Sequence, residues 1–132
     1  MAETVSDLRE MLRLMSPRLE ASCYVFRQAK SEADLIQSLP MAIGMFREAE
    51  AVSLIVPAAS DAPKAMRLIT LQVNSELEAV GLTAAVSAAL SDAGIPCNIV
   101  AAFAHDHVFV PVGLAEAAVD TLRAVSRAAA KG

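Results

Sequence analysis

The sequence predicts an α+β fold, and three observations support this prediction. The spacing of apolar residues switches between the alternation typical of a strand and the three-to-four-residue repeat of a helix. Gly81 and Gly94 bracket the clearest helical segment. Of the 132 residues, 55% are hydrophobic but only 4% are aromatic. The core is therefore expected to consist of small aliphatic side chains, which let helices pack closely on a sheet.

The chain begins with a predicted helix followed by a strand. Residues 4–15 carry apolar side chains at helical spacing, and Thr4 stands three residues before Asp7 as a possible capping box. Pro17 limits this helix. The next segment, ASCYVFRQA at residues 21–29, is rich in β-forming residues and is predicted to be a strand.

A second capping pair, Ser31 and Asp34, predicts a short helix that Pro40 closes. Residues 40–51 fit no clear pattern. The run VSLIV that follows is predicted to be a strand ended by Pro57, and the segment ASDAPK after it reads as a turn-rich connector.

The second half is easier to interpret. Alternation from Ile69 to Val73 predicts a strand with one apolar face. Gly94 stands where a left-handed helix terminus is expected, and Glu116 and Lys131 match the dipole of a last helix. The predicted strand, helix, two antiparallel strands and helix lie at residues 68–73, 82–93, 98–104, 108–112 and 114–131.

These five elements are five of the six in a split βαβ, ferredoxin-like unit, βαββαβ, with an antiparallel sheet and helices on one face. The missing edge strand is expected from the first half, where CYVFR and VSLIV are the candidates. We therefore predict two tandem units, at residues 1–63 and 64–132, that exchange strands across their boundary.

Composition argues against several classes of protein. The net charge of -4 provides no basic surface for nucleic acid. The first residues do not resemble a secretory signal, and no apolar run approaches the ~20 residues of a membrane span, so a cytoplasmic protein is expected. Cys23 and Cys97 lie far apart in strand-like segments and are expected to be reduced thiols.

The order of Gly81, a helix, the triplet AGI and Asn98 resembles the ACT domain. More narrowly, the chain is similar to small proteins built from two tandem ACT-like units, through the segments FREAEAVSLIV, AVGLTAAVS, CNIVAAF and HDHVFVPV. The resemblance implies a homodimer that regulates by binding a small molecule, an amino acid in the first place, at an interface between units. It departs from the family in the turn NSELEAVG, which lacks the usual Asp-x-Pro-Gly, and in the first half, which has no glycine turn of its own.

Independently of the resemblance, the residues around Gly81 suggest an anion site, because a helix start offers unpaired N–H groups and a positive dipole end. If the ligand is an amino acid, as the resemblance implies, the backbone of Leu82 and Thr83 would bind its carboxylate, and Gly81 would leave room beside it. Carbonyl groups near Val80, or the acids Glu76 and Glu78, would bind its ammonium group, and Asn98 would add a donor and an acceptor. The structural alternatives are a simple turn at Gly81, a helix cap at Thr83, a solvated acidic loop, and an Asn98 that holds the next loop.

The triplet His105-Asp106-His107 is predicted to be a polar hairpin tip. A metal site is the competing interpretation, but the chain has no third histidine, and along a strand Asp106 would point away from both histidines. No nucleophile stands beside a base in a known motif, and no dinucleotide or phosphate-binding loop occurs. We therefore expect a non-catalytic regulatory protein without a cofactor or metal. A structural or protein-interaction module that has no ligand is the alternative.

Overall fold

A computed structural model describes residues 7–131. The elements, in chain order, are α1 Leu8–Arg13, β1 Pro17–Gln28, α2 Glu32–Ser38, β2 Gly44–Arg47, β3 Val52–Ala58, β4 Met66–Leu71, α3 Leu82–Asp92, β5 Asn98–Ala101, β6 Asp106–Pro111 and α4 Ala115–Lys131. Short 3₁₀ turns at Leu39–Met41 and Val112–Leu114 complete the set. The α+β class is as predicted.

The chain forms two compact units. The first unit contains the residues up to Ala21 together with those from Arg67 onward, and the second unit is Ser22–Met66. Strand β1 therefore contributes residues 17–21 to the first unit and its remainder to the second. These units differ from the halves 1–63 and 64–132 of the sequence analysis, and that division remains a prediction about tandem repeats.

In the first unit the strand order is β1-β4-β6-β5. Helix α3 connects β4 to β5 across the intervening β6, which is the split βαβ arrangement. The predicted missing edge strand does come from the first half, but it is the start of β1, just before CYVFR. The strand begins earlier than the predicted Ala21, at Pro17. Pro17 and the charged residues after it argue locally against a strand, although proline is tolerated as the first residue of one.

The core of the first unit lies between the sheet and helices α1, α3 and α4. Its fully buried side chains include Met11, Ile69, Val86, Leu90 and Leu122. The predicted apolar face of β4 is confirmed, because Ile69 and Leu71 are fully buried. Thr70, on the opposite face, is buried as well, and its hydroxyl oxygen lies 3.2 Å from His107 Nδ1 of a neighbouring strand.

Helix α3 ends as predicted. Gly94 has φ of +75°, its N–H donates to Ser91 O at 2.9 Å, and the N–H of Ile95 donates to Leu90 O at 2.8 Å. This is the Schellman arrangement, in which a left-handed residue satisfies the last carbonyl groups of a helix. The buried Ile95 and Leu90 belong to the same core, so the cap also fixes the direction of the chain into β5.

In the second unit β3 lies between β2 and β1, and both pairings are antiparallel. The Ser31 cap is confirmed, because its hydroxyl accepts from the Asp34 N–H at 3.0 Å. Strand β2, Gly44–Arg47, lies in the segment 40–51, for which the sequence predicts no clear element. Pro57 does not end β3 but pairs with Tyr24. Proline is tolerated there because β2 pairs with β3 only as far as Ile55, so at Pro57 one side of β3 has no β2 neighbour.

The first helix is shorter than predicted. Helix α1 begins after Asp7, whose carboxylate accepts from the Glu10 N–H at 3.0 Å. Asp7 is thus the capping residue of the observed helix, and Thr4 lies outside the described residues. Among the residues described, no helix is both long enough and apolar enough to cross a bilayer.

Candidate functional site

A small cleft of about 40 Å³ lies in the first unit, beside the loop that joins β4 to α3. The polar side chains that line it are Ser75, Glu76, Thr83 and Asp106. Leu82 and the end of β5 supply apolar wall. The cleft therefore brings together an acidic loop, the first turn of a helix and a carboxylate from β6.

The structure places the predicted site residues in three locations. Glu76, Leu82 and Thr83 line the cleft. Val80 does not line it and is 84% exposed. Asn98 begins β5, three residues before Ala101 at the cleft, which corresponds to about 10 Å at the rise of a strand. One copy of the chain therefore does not bring Asn98 together with the others.

Gly81 is the residue that precedes α3, and its φ of +108° is a conformation that favours glycine. The sequence predicts free room beside Gly81. In the structure, however, a Cβ at this position would lie 3.0 Å from Cδ2 of Leu8, so the side chain of Leu8 occupies that space. The reason is tertiary: α1 packs against α3, which residue spacing along the loop does not reveal.

The first turn of α3 borders the cleft through Leu82 and Thr83. The first intrahelical bond runs from the Ala85 N–H to Gly81 O at 2.8 Å, and Gly81 has no side chain to cap the preceding N–H groups. Within the helix the N–H groups of Leu82, Thr83 and Ala84 therefore have no carbonyl partner. These groups and the helix dipole favour a bound anion.

Asp106 is not at a hairpin tip, and the prediction for the His-Asp-His triplet is wrong in this respect. The turn is closed by the Ala102 N–H bonding to His105 O at 3.0 Å, and β6 already begins at Asp106, which pairs with Ala101. Asp106 is consequently only 8% exposed. A signal for this burial was present in the sequence, because Asp106 shares one strand face with Val108 and Val110, both fully buried.

Burial raises the pKa of Asp106, and two weaker effects oppose it: a hydrogen bond from Ser75 and the positive charge available on His105 and His107. The Ser75 hydroxyl donates to Asp106 Oδ2 at 3.5 Å, the outer limit for such a bond. The carboxylate is thus poorly solvated and weakly bonded. An ammonium group in the cleft would satisfy it.

His107 lies next to Asp106 on β6 and contacts Thr70 as described above. Burial lowers its pKa, with a further lowering from His105, while the negative charges of Asp106 and Glu20 act in the opposite direction. Within residues 7–131, no three side chains of His, Cys, Asp or Glu are grouped so that they could hold a metal ion.

Comparison with known proteins identifies the family. Two models of the ACT domain match the chain, one over residues 3–72 and the other over residues 62–124. Together they span most of the sequence, which confirms the tandem arrangement. No functionally curated protein matches the sequence.

Solved structures agree with this result. A Vibrio cholerae protein of unknown function, described as a possible transport protein, shares 37% identity with a TM-score of 0.73, over 86% of this chain and 92% of that one. The aspartokinase alpha and beta subunits (12% identity, TM-score 0.60) share the fold over 85% of this chain and 97% of theirs. Clostridium acetobutylicum aspartate kinase, described as an allosteric enzyme, shares it at 14% identity and a TM-score of 0.61, over 85% of this chain and 34% of the kinase. The fold is therefore ferredoxin-like, as predicted, and the chain belongs to the ACT domain family.

Proposed function

We propose that this protein is a non-catalytic regulatory module that binds an amino acid in the cleft between the β4–α3 loop and β6. Membership of the ACT family supports a regulatory role. The observation that carries the proposal is the buried, weakly bonded carboxylate of Asp106, which lines the same cleft as the first turn of α3. One cleft thus offers an acceptor for an ammonium group and donors for a carboxylate.

The two ends of a zwitterion would bind to different elements. The ligand carboxylate would accept from the N–H groups at the start of α3 and from the Thr83 hydroxyl. The ammonium group would donate to Asp106, with Glu76 at the rim. Since an adjacent positive charge favours the ionised carboxyl, binding would lower the pKa of Asp106. Affinity should therefore rise with pH through the pKa that Asp106 has in the free protein.

The cleft is too small to enclose an amino acid, because 40 Å³ accommodates little more than one water or an ammonium group. A second wall is therefore part of the proposal. Strand β5 is at the edge of its sheet, and the Ala101 end of β5 borders the cleft. A second copy paired along this edge would cover the opening, and a homodimer of this kind would also protect the edge strand.

Such a dimer gives Asn98 a role that it cannot have within one copy. When two β5 strands pair antiparallel about a two-fold axis, the start of one lies opposite the end of the other. The partner subunit's Asn98 would then approach the Ala101 end of the cleft. Asn98 is exposed at the edge, as this arrangement requires.

A cytoplasmic location is also proposed. Cys23 and Cys97 are both free and partly buried. Unpaired thiols are typical of a reducing compartment.

The test is a thermal-shift screen of the full chain against the amino acids at millimolar concentration, followed by calorimetry on any hit. A ligand at 100-fold its dissociation constant should stabilise the protein by about 2.7 kcal/mol. Asp106→Asn should weaken binding at least about tenfold, the effect typical of losing a charge-assisted hydrogen bond. Asp92→Asn, which changes an exposed acid at the other end of α3, is the matched control.

Sedimentation tests whether a second copy of the chain forms the second wall of the site. The wild type should be a dimer, and Asn98→Ala should remain a dimer but bind more weakly. A strict monomer that still binds the amino acid would exclude the second copy as a wall. The absence of any hit in the screen would exclude the amino-acid site itself.

One observation favours the alternative, a protein-interaction module without a ligand. Several large apolar side chains of the second unit are exposed, among them Ile36 at 67% and Phe46 at 71%. Exposed apolar clusters are typical of protein interfaces. A protein that binds no amino acid but forms a stable complex through these residues would support this alternative.

A further inference from the structure

A second, larger pocket of about 530 Å³ lies in the first unit, where the start of β1 faces α4. Six polar residues contribute to its lining: Ser16, Arg18, Gln72, Arg123, Ser126 and Arg127. Its volume is within the range of about 300–1,000 Å³ that is typical of small-molecule sites. None of these residues belongs to the cleft at Asp106, so this pocket is a separate feature of the protein.

The pocket concentrates positive charge on a chain whose net charge is -4. Arg18 forms an ion pair with Glu20 at 2.8 Å, whereas Arg123 lies 3.9 Å from Asp120, at the limit of an ion pair. Arg127 forms no ion pair with any of the residues described. Across the described part of the chain, the pocket thus has three guanidinium groups but only two carboxylates paired with them. Most N–H donors of Arg123 and Arg127 make no ion pair there and remain available to bind an anion.

The three arginines come from two directions. Arg123 and Arg127 are four residues apart on α4, so their side chains leave the helix on the same face about one turn apart. Arg18 enters from β1. Guanidinium groups placed in this way can bind a tetrahedral oxyanion from two sides. Arg123 and Arg127 would use paired N–H donors, and Arg18 would use the N–H groups that do not already donate to Glu20.

The floor of the pocket is held in a specific conformation. Ser16 has a φ of +44°, in the left-handed region that is uncommon for serine. The amide of Gln72 donates to both Ser16 O at 2.9 Å and Ser16 Oγ at 3.1 Å. The Gln72 N–H donates to Met15 O at 2.8 Å. The Ser16 hydroxyl accepts in this network, so its own O–H can donate to a ligand.

We propose that this pocket binds the phosphate group of a small molecule. A compact dianion matches the excess of guanidinium groups, and the hydroxyl of Ser16 adds a neutral donor at the floor. Polynucleotide is a poor fit, because the basic surface is limited to this pocket on an acidic chain. The site would give the protein a second ligand, chemically unlike the zwitterion proposed for the Asp106 cleft.

The experiment is a calorimetric titration of the full chain with inorganic phosphate at pH 7 in low-salt buffer. Saturable binding is expected, and Arg127→Gln and Arg123→Gln should each weaken it at least about tenfold. Arg47→Gln, at an exposed position on β2, is the matched control and should bind as the wild type. Circular dichroism would verify that each variant is folded, which is expected because the changed side chains are at the surface.

Three results would overturn the proposal. They are the absence of saturable binding, equal weakening by Arg47→Gln and Arg127→Gln, and tighter binding of succinate than of phosphate. The second result would reveal unspecific attraction to surface charge, and the third would assign the pocket to dicarboxylates. Asp106→Asn should leave phosphate binding unchanged, so failure here and failure of the amino-acid site can be told apart.

Discussion

The two compact units differ in how each buries apolar surface. The first unit encloses a core to which three helices and the sheet contribute. The second unit buries three hydrophobic residues, Leu54, Val56 and Ala65, within its own range. The same short segment exposes seven large apolar side chains: Phe26, Ile36, Leu39, Met41, Ile43, Met45 and Phe46. The first unit therefore has a substantial buried core, whereas the second unit buries few hydrophobic residues within its own range.

Polar contacts take over part of the stabilising role in the second unit. Arg27 donates to both oxygens of Asp34, at 2.8 and 3.1 Å, and to the buried Ser38 hydroxyl at 2.7 Å. Asp34 also accepts from the Lys30 N–H at 2.8 Å. These hydrogen bonds and the ion pair connect α2 to β1. The second unit thus combines these polar contacts with apolar side chains that remain exposed.

Both candidate sites belong to the first unit. The Asp106 cleft and the arginine pocket each combine a residue from the sheet with the surface of a helix. A rigid core holds such groups in place, because side chains that pack at crystal-like density cannot shift independently. The two proposed ligand sites therefore both depend on the packed core of the first unit, as does strand β5, the edge proposed for the homodimer.

The largest expected effect tests how much the buried core of the first unit contributes to the free energy of unfolding. Leu90→Ala removes a fully buried side chain from its core and should lower the free energy of unfolding by about 2–5 kcal/mol. Ile36→Ala, at a position 67% exposed in the second unit, is the control and should change it by less than about 0.5 kcal/mol. Denaturant titration measures both. An equal loss in the two variants would contradict the comparison.

An intermediate effect on the free energy of unfolding is expected when three glycines of the first unit are replaced by alanine. The three differ in backbone φ and in the space available for a Cβ. Gly81 has a positive φ and Leu8 against its Cβ position, Gly94 has a positive φ and open space, and Gly113 has open space without a positive φ. Replacement by alanine should cost about 1–3 kcal/mol at Gly81 and about 1 kcal/mol at Gly94. At Gly113 it should be within about 0.5 kcal/mol of neutral.

Thermal and denaturant unfolding of the three variants would establish the order. The double variant Leu8→Ala with Gly81→Ala separates the two causes at Gly81, because it removes the contact and leaves the backbone strain. If Gly113→Ala were as costly as Gly81→Ala, neither φ nor Leu8 would explain the need for glycine.

The sequence could predict what local chemistry decides. The Ser31 cap, helix α3 and its end at Gly94 depend on residues within a few positions of one another, and all three were predicted correctly. The start of β1 was missed because its strand character depends on pairing with β4, in which Arg67 donates to Glu20 O at 2.6 and 2.9 Å. The residue types between 17 and 21 give no indication of a strand partner almost fifty positions away.

The candidate site likewise has features that local sequence predicts and features that depend on distant segments. The helix start at Leu82 and Thr83 could be predicted because a glycine before an apolar repeat is a local signal. Asp106 was assigned to the wrong place, since its burial depends on pairing with Ala101 and on the loop at Ser75. The filled space beside Gly81 depends on the packing of Leu8 from a helix more than seventy positions away. Contacts between distant segments decide whether a turn is an open site.

The smallest expected effect is on the pH dependence of the free energy of unfolding. It involves one carboxyl group in each unit, Asp34 and Asp106, whose pKa values are shifted in opposite directions from the ordinary 3.8. Hydrogen bonds from Arg27, Lys30 and Ser38 hold the pKa of Asp34 far below its usual range. Burial raises the pKa of Asp106. Asp34 thus contributes stability that is present above the unfolded pKa and decreases as the pH falls toward the folded one. For Asp106 the folded state binds the proton more tightly, so stability is greatest below about pH 4 and decreases as the pH rises through the folded pKa.

The variants Asp34→Asn and Asp106→Asn should therefore change the pH dependence in opposite senses. Relative to the wild type, Asp34→Asn should be less stable at pH 7, with the difference narrowing as the pH falls below 4. Asp106→Asn should gain relative stability between pH 4 and pH 7, because an amide carries no charge that burial penalises. Denaturant titrations at several pH values measure both trends, and Asp61→Asn at an exposed turn is the control. If both variants moved in the same direction, the carboxyl groups of the two units would not differ in environment, and the burial assigned to Asp106 would be wrong.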